Sequence, residues 1–257
     1  MFNVIYTELL KLKSTKIPWL VLFGAIPANL VALFAFLPKV TPDGTPAGID
    51  MQDMFYRQGM MLVMVAPSIF ALFTAYIISR EYQERTVNQL FAYPVSRAKI
   101  LTAKLSVVFI LIVITTVLSC VTAVVVGIVM LLQGRIGFEI IWLGLKTNAG
   151  ICILSFGTIP VAAAVSLIAK NVIPAAVLGV FATIVTVIGK IGHGQGGILF
   201  PWLTPYWPVR HLAQDIADNT GANPYGVPAL IILTLTFLLS LAFSLLYYIK
   251  SDVHSGS

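Results

Sequence analysis

Six apolar runs, each long enough to cross a bilayer, constrain this chain more than anything else in it. A spanning helix needs about 20 predominantly apolar residues. Residues 17–37, 59–78, 105–132, 147–169, 172–188 and 227–249 all qualify. They predict an all-α membrane protein, one domain over residues 1–257 with six transmembrane helices. Only 10% of the residues are charged, against about 25% in soluble domains. The third run has 28 residues, about 42 Å as a helix, and must tilt or protrude from a core of about 30 Å.

Charge sets the expected orientation. With the N-terminus inside, the cytoplasmic segments hold ten basic residues, among them Lys11, Lys13, Lys16, Arg80, Arg97, Lys104 and Lys170, and four acidic ones. That excess equals the whole net charge of +6, and the outer loops balance to zero. Lys and Arg excess marks the cytoplasmic side, so both termini are expected there, in a multi-pass protein of the cell membrane. No basic soluble domain exists to bind nucleic acid. The first run is longer than a signal-peptide core and lacks a cleavage site, so it reads as a retained span.

The N-terminal segment has the spacing of an amphipathic helix. Phe2, Ile5, Leu9 and Leu12 fall near one face, and Asn3, Thr7, Lys11 and Thr15 on another. It is expected to lie in the headgroup region, with Lys11, Lys13 and Lys16 near anionic lipid; an early start to the first span is the other reading. Pro18 would then turn the chain into the bilayer, with Trp19 at the interface.

The span cores contain no Asp, Glu, Lys, Arg or His, which argues against a proton relay or a voltage sensor. Their polar content is mild: Thr115, Thr116, Ser119, Thr122, Ser155, Thr158, Ser166, Ser240 and Ser244, suited to hydrogen bonding between helices. Pro67 and Pro160 should loosen the second and fourth spans. Cys120 and Cys152 read as small buried apolar side chains. Lys170 and Asn171 form a tight turn, and Pro174 enters the first turn of the next helix.

A charged stretch from Ser79 to Lys104 interrupts the second and third spans. Val87, Leu90 and Phe91 make a short apolar stripe, and Glu81 and Arg85 stand at i and i+4, so a helix is expected over residues 80–92. Pro94 ends it, and Ser96 is placed to cap the helix starting at Arg97. An ordinary solvated loop carrying inside-positive charge fits these residues equally well.

The pattern Glu81, Thr86, Leu90, Pro94, Ser96, Arg97 and Lys104 resembles the intracellular coupling element of type-2 ABC exporter permeases, with Arg85 where that family usually has glycine. The amphipathic start, six spans and long outer loop before the last span extend the resemblance over nearly the whole chain. It implies that residues 81–104, including Glu84, seat in a separate ATP-binding subunit as a cytoplasmic coupling helix. It further implies two such subunits, a second permease copy (identical or similar), and ATP and Mg²⁺ held by the partner. No cofactor is expected in this chain: the Gly-rich stretch 192–197 lacks the Lys-Ser/Thr of a phosphate-gripping loop.

The segment from 190 to 226 is too long for a simple connection. A short helix is expected over 211–217, with Pro201, Pro205 and Pro208 breaking any longer one. By the same resemblance, Trp202, Tyr206, Trp207 and Arg210 belong to an outer hairpin capping the path; an interfacial aromatic anchor is the other reading. Two histidines far apart in sequence suggest no metal site. Among compact permeases the chain resembles bacterial ones protecting against bacitracin-like or lantibiotic peptides, which implies an amphiphilic substrate. The rival reading is an ATP-independent carrier or channel; an intramembrane enzyme would need Asp clusters or a Ser–His pair at depth.

Overall fold

The structure, a computed structural model, describes residues 2–13, 15–34, 50–84, 86, 95–191, 195–214 and 223–250. All regular elements among them are helical. In chain order they are α1 (Phe2–Leu12), α2 (Ile17–Leu33), α3 (Met51–Gln83), α4 (Arg97–Ser119), α5 (Val121–Leu132), α6 (Phe138–Phe156), α7 (Ile159–Ala169), α8 (Val172–Ile191), a 3-10 turn (Gln195–Leu199), α9 (Tyr206–Gln214) and α10 (Gly226–Lys250).

Five helical stretches are long and apolar enough to cross a membrane: α3, α4, α6 with α7, α8 and α10. α2, with 17 residues, reaches that length only together with α1, from which it is bent by 82°. α1 is therefore a separate element at the head of the first span, and the chain is an all-α multi-pass membrane protein.

α3 is the axis of the fold, packing against α2, α4, α6, α7, α8 and α9. Its 33 residues make a rod about 50 Å long, well beyond the run 59–78 read from hydropathy. Asp50 begins it: its Oδ1 accepts from the backbone N–H groups of Gln52 (2.9 Å) and Asp53 (3.2 Å), filling two orphan donors of the first turn. Pro67 lies inside α3 without ending it. The next N–H, of Ser68, donates to Thr183 Oγ1 on α8 at 3.1 Å. α8 comes close here because residue 179 is glycine; a Cβ there would stand 2.7 Å from Ala71 Cβ and 2.9 Å from the Pro67 carbonyl oxygen.

The third run departs from its expected form. Its helix starts at Arg97, as the Ser96 cap position predicts, but breaks at Cys120, with α5 following as a separate piece. The cause is Asn29 of α2. Its Nδ2 donates to the Leu118 carbonyl (2.8 Å) and the Ala25 carbonyl (3.0 Å), while its Oδ1 accepts from Thr122 N–H (3.1 Å). One carboxamide thus serves a carbonyl and an N–H on the two sides of the break, where the helical bond between them is lost. The fourth run is likewise longer than read, reaching back to Phe138, and it divides at Gly157 and Thr158 with Pro160 in the first turn of α7. Lys170, in the left-handed conformation, closes α7, and α8 starts two residues later, as expected of the tight turn.

The hydroxyls behave more locally than expected. Thr115, Thr116, Ser119, Thr158 and Ser240 donate to carbonyls three or four residues back in the chain. Ser244 does cross between helices, donating to the Pro160 carbonyl at 3.2 Å. Cys120 and Cys152 are both buried thiols.

Candidate functional site

The charged end of α3 closes on itself and on two other helices. Glu81 stands in its last full turn, Glu8 and Lys11 on α1, and Lys104 two turns into α4. Lys104 Nζ donates to Glu8 Oε2 (3.2 Å) and the Ile77 carbonyl (3.1 Å) and is ion-paired with Glu81 Oε1 at 3.0 Å. Lys11 Nζ reaches the same two acids, Glu8 Oε1 at 2.6 Å and Glu81 Oε1 at 3.0 Å. The side chain of Lys104 is 3% exposed, those of Glu8 and Glu81 are 7% exposed, and that of Lys11 is 40% exposed. Two positive and two negative groups sum to zero, so the cluster can be buried as a unit although none of its members could be buried alone.

Burial on its own would push the Glu8 carboxyl up, but Lys104 and Lys11 beside it hold it below its ordinary value. Burial would likewise depress Lys11, yet Glu8 and Glu81 raise it. Both groups are thereby kept charged.

A second layer surrounds the cluster. Arg80 Nε pairs with Glu84 Oε1 at 2.7 Å, and the Arg80 guanidinium donates to the Lys11 carbonyl at 2.9 Å, tying α3 to the C-terminal turn of α1. Thr86 N–H donates to the Glu81 carbonyl at 3.0 Å. A cavity of about 270 Å³ opens beside the cluster, walled by Arg80, Glu84, Thr86 and Val107. Arg97 donates to the Ile249 carbonyl at 3.0 Å, at the C-terminal end of α10, where a cation meets unpaired carbonyls and the negative end of the helix dipole.

The expected coupling residues therefore divide. Glu81 and Lys104 face inward, Arg97 reaches α10, and Glu84 stands half exposed at the rim. Ser96 occupies the N-cap of α4 with extended backbone, but its hydroxyl makes no capping bond. Arg80 to Gln83 is the last turn of α3 rather than the start of a new helix. Arg85, Leu90 and Pro94 lie outside the described residues, as do Val87 and Phe91 of the expected stripe.

α1 is turned differently from its expected pose. Glu8 and Leu12 are buried, Ile5 and Leu9 pack on the core, and Phe2 is exposed with Tyr6 and Leu10. Lys11, expected over headgroups, points into the cluster, while Lys13 and Lys16 are exposed. Glu8 is the member that sequence reasoning passed over. Its signal was present: on a 100° wheel it falls beside Leu12 and Ile5, an acid on the apolar face one turn from Lys11. The other amides missed, Gln58 and Asn148, exchange hydrogen bonds of 3.3 and 3.4 Å between α3 and α6.

At the opposite end of α3 the aromatic segment is folded inward. Tyr206 and Trp207 are buried against Met60, Val63 and Ile151, not spread over a surface. Their rings meet edge to face at 5.3 Å, and Arg210 lies over Tyr206 at 5.9 Å. Trp202 is half-buried against Phe200. The short helix begins at Tyr206 rather than 211, because Pro208 falls in its first turn, where no N–H is needed. Among the described residues no group of His, Cys, Asp and Glu could hold a metal ion.

The family model described as ABC-2 family transporter protein matches residues 4–186, a stretch that runs from α1 into α8 and holds every member of the ion cluster. The bacitracin transport permease protein BCRB of Bacillus licheniformis is 26% identical over 196 residues, covering 76% of this chain and 88% of that protein.

Proposed function

Since the chain belongs to the family of ABC-2 transporter proteins, we propose that it moves an amphiphilic substrate across or out of the bilayer, using ATP hydrolysed in a separate subunit. A multi-pass permease subunit of an ABC transporter, it partners with an ATP-binding subunit. In the proposed assembly two ATP-binding subunits serve two permease chains, and ATP and Mg²⁺ reside in the former. A peptide antibiotic is the substrate class supported by the relative named for bacitracin transport. The +6 excess at the N-terminal and loop segments supports placing both termini in the cytoplasm of a bacterial cell.

The observation that carries the reading is the shared cluster of Glu8, Lys11, Glu81 and Lys104. A subunit pushing on the loop after α3 acts on a helix end that is ion-paired to α1 and to α4. Parting any of the three would leave a charge buried without its partner, at a cost of about 3–5 kcal/mol, so the three are driven together. In this scheme Glu84, at the rim, contacts the partner, whereas Glu81 and Lys104 transmit the motion.

Co-expression with an ATP-binding subunit separates these roles. Glu84→Lys should lose co-purification of that subunit. Lys104→Met should keep it, yet hydrolyse ATP without moving substrate in proteoliposomes. Substrate movement by the permease chain alone, down an ion gradient and without nucleotide, would sink the reading.

A further inference from the structure

The cavity beside the ion cluster is lined by polar atoms that the cluster does not use. The Glu81 side chain is 7% exposed, and both of its ion pairs, to Lys11 and Lys104, fall on Oε1. Its Oε2 accepts no hydrogen bond among the described residues, yet it is not sealed from the cavity that Glu81 lines. Glu84 likewise engages Arg80 through Oε1 and leaves Oε2 open. Arg80 donates through Nε and Nη1, so both N–H groups of Nη2 lack an acceptor among the described residues. The Thr86 hydroxyl, on the same wall, is unbonded there too. A carboxylate withdrawn this far from solvent ordinarily has partners on both oxygens. One oxygen left open toward a cavity marks a place for a donor.

We propose that this cavity binds a phosphoethanolamine group, with the ammonium on Glu81 Oε2 and Glu84 and the phosphate on Arg80 Nη2. Charge selects a zwitterion. The walls carry Lys11, Arg80 and Lys104 against Glu8, Glu81 and Glu84, a neutral set in which a bare cation or a bare anion would go uncompensated. Open acceptors and open donors both line the space, and an ammonium joined to a phosphate by two carbons answers both. Guanidinium is the side-chain group best suited to phosphate. An ammonium that carries N–H groups can donate to the open carboxylate oxygen, whereas a quaternary one cannot. Leu12, Ile77 and Val107 are buried and supply an apolar floor for the two methylenes. The cavity of about 270 Å³ has room for roughly nine waters, close to the number of non-hydrogen atoms in the group. Phosphatidylethanolamine carries this group at a membrane surface, and phosphoethanolamine carries it free in solution.

Native mass spectrometry of the full-length chain in detergent reads the selectivity. The chain is titrated with phosphatidylethanolamine or with phosphatidylcholine of the same acyl chains. One phosphatidylethanolamine should bind about 10- to 100-fold tighter than phosphatidylcholine, the worth of the charge-assisted hydrogen bond that trimethylation removes. Arg80→Gln should weaken phosphatidylethanolamine by a similar factor, and Glu81→Gln should remove the preference over phosphatidylcholine. The comparison of headgroups on the unaltered chain stands even where a variant fails to fold. Soluble phosphoethanolamine that displaces the lipid shows the headgroup alone to be sufficient. Failure to displace it, with the preference intact, assigns the site to the membrane-borne form. Equal binding of the two lipids overturns the proposal, and so does a preference that survives both substitutions. Binding is read without nucleotide or partner, so its failure leaves ATP coupling to the separate test of Glu84→Lys.

Discussion

Lys104 Nζ lies 3.0 Å from Glu81 Oε1, and both side chains are almost wholly withdrawn from solvent. Lys104→Met removes one positive charge and leaves Glu8 and Glu81 with Lys11 alone. Uncompensated buried charge of this kind costs about 3–5 kcal/mol. The melting temperature of the detergent-solubilised variant should fall accordingly. Adding Glu81→Gln restores neutrality and should recover part of the loss, a non-additivity that a double-mutant cycle measures.

The cluster also sets a pH window. Glu8 is held below its ordinary 4.5, so its contribution is complete above that value and disappears as pH falls through the lower folded value. Lys11 is held above its ordinary 10.5, so its contribution is complete below that value and disappears as pH rises past the higher folded one. Stability from these two groups should therefore be flat between about pH 5 and pH 10 and fall at both ends. Glu8→Gln should flatten the acid limb of a melting-temperature profile and weaken the alkaline limb as well, because Glu8 is the leading partner that raises Lys11 against its burial.

Asn29→Leu should open the break in the third span. The substitution strips a donor from the Leu118 carbonyl and an acceptor from the Thr122 N–H, at a cost of about 1–3 kcal/mol for each group left unpaired. Cys120, buried at that break, is a built-in reporter. In a Cys152→Ser chain its maleimide labelling should be slow with Asn29 present and markedly faster in the variant.

Gly179→Val tests the contact of α8 with α3 at Pro67. Even the first carbon of the new side chain would meet Ala71 Cβ and the Pro67 carbonyl at under 3 Å, and backbone cannot turn aside as a flexible side chain does. Overpacking of this kind costs about 1–3 kcal/mol. Thr183→Val, which removes only the bond to Ser68 N–H, should cost less; thermal unfolding of both variants ranks them.

The spans were legible because a long apolar run has few other fates, and the tight turn at Lys170 and Asn171 followed from there being no room for anything longer. The ends were less so. Hydropathy treats each charge as a boundary, yet Lys104 and Glu81 lie within helices and are paired inward; α3 therefore extends past the run drawn for it, whereas the start of α4 at Arg97 was given by the Ser96 cap position. The division at Cys120 was hidden for a different reason. Its cause is an asparagine on another helix, and no local property of residues 105–132 reports it. Glu8 stood in view on the apolar face of α1, but its partners on α3 and α4 become neighbours only in three dimensions. For Tyr206 and Trp207 an outer hairpin and an interfacial anchor stayed equally open, since composition does not say which way a loop folds.

The inward fold of Tyr206 and Trp207 fills this end of the described bundle with two buried rings. A molecule entering there must first dislodge two rings, each worth roughly 1.5–3 kcal/mol if turned out into water. Since those rings lean on α3 through Met60 and Val63, a shift of that rod is the most direct way to loosen them. Under the coupling proposed above, the two rings and the ion cluster thus stand at opposite ends of one rod.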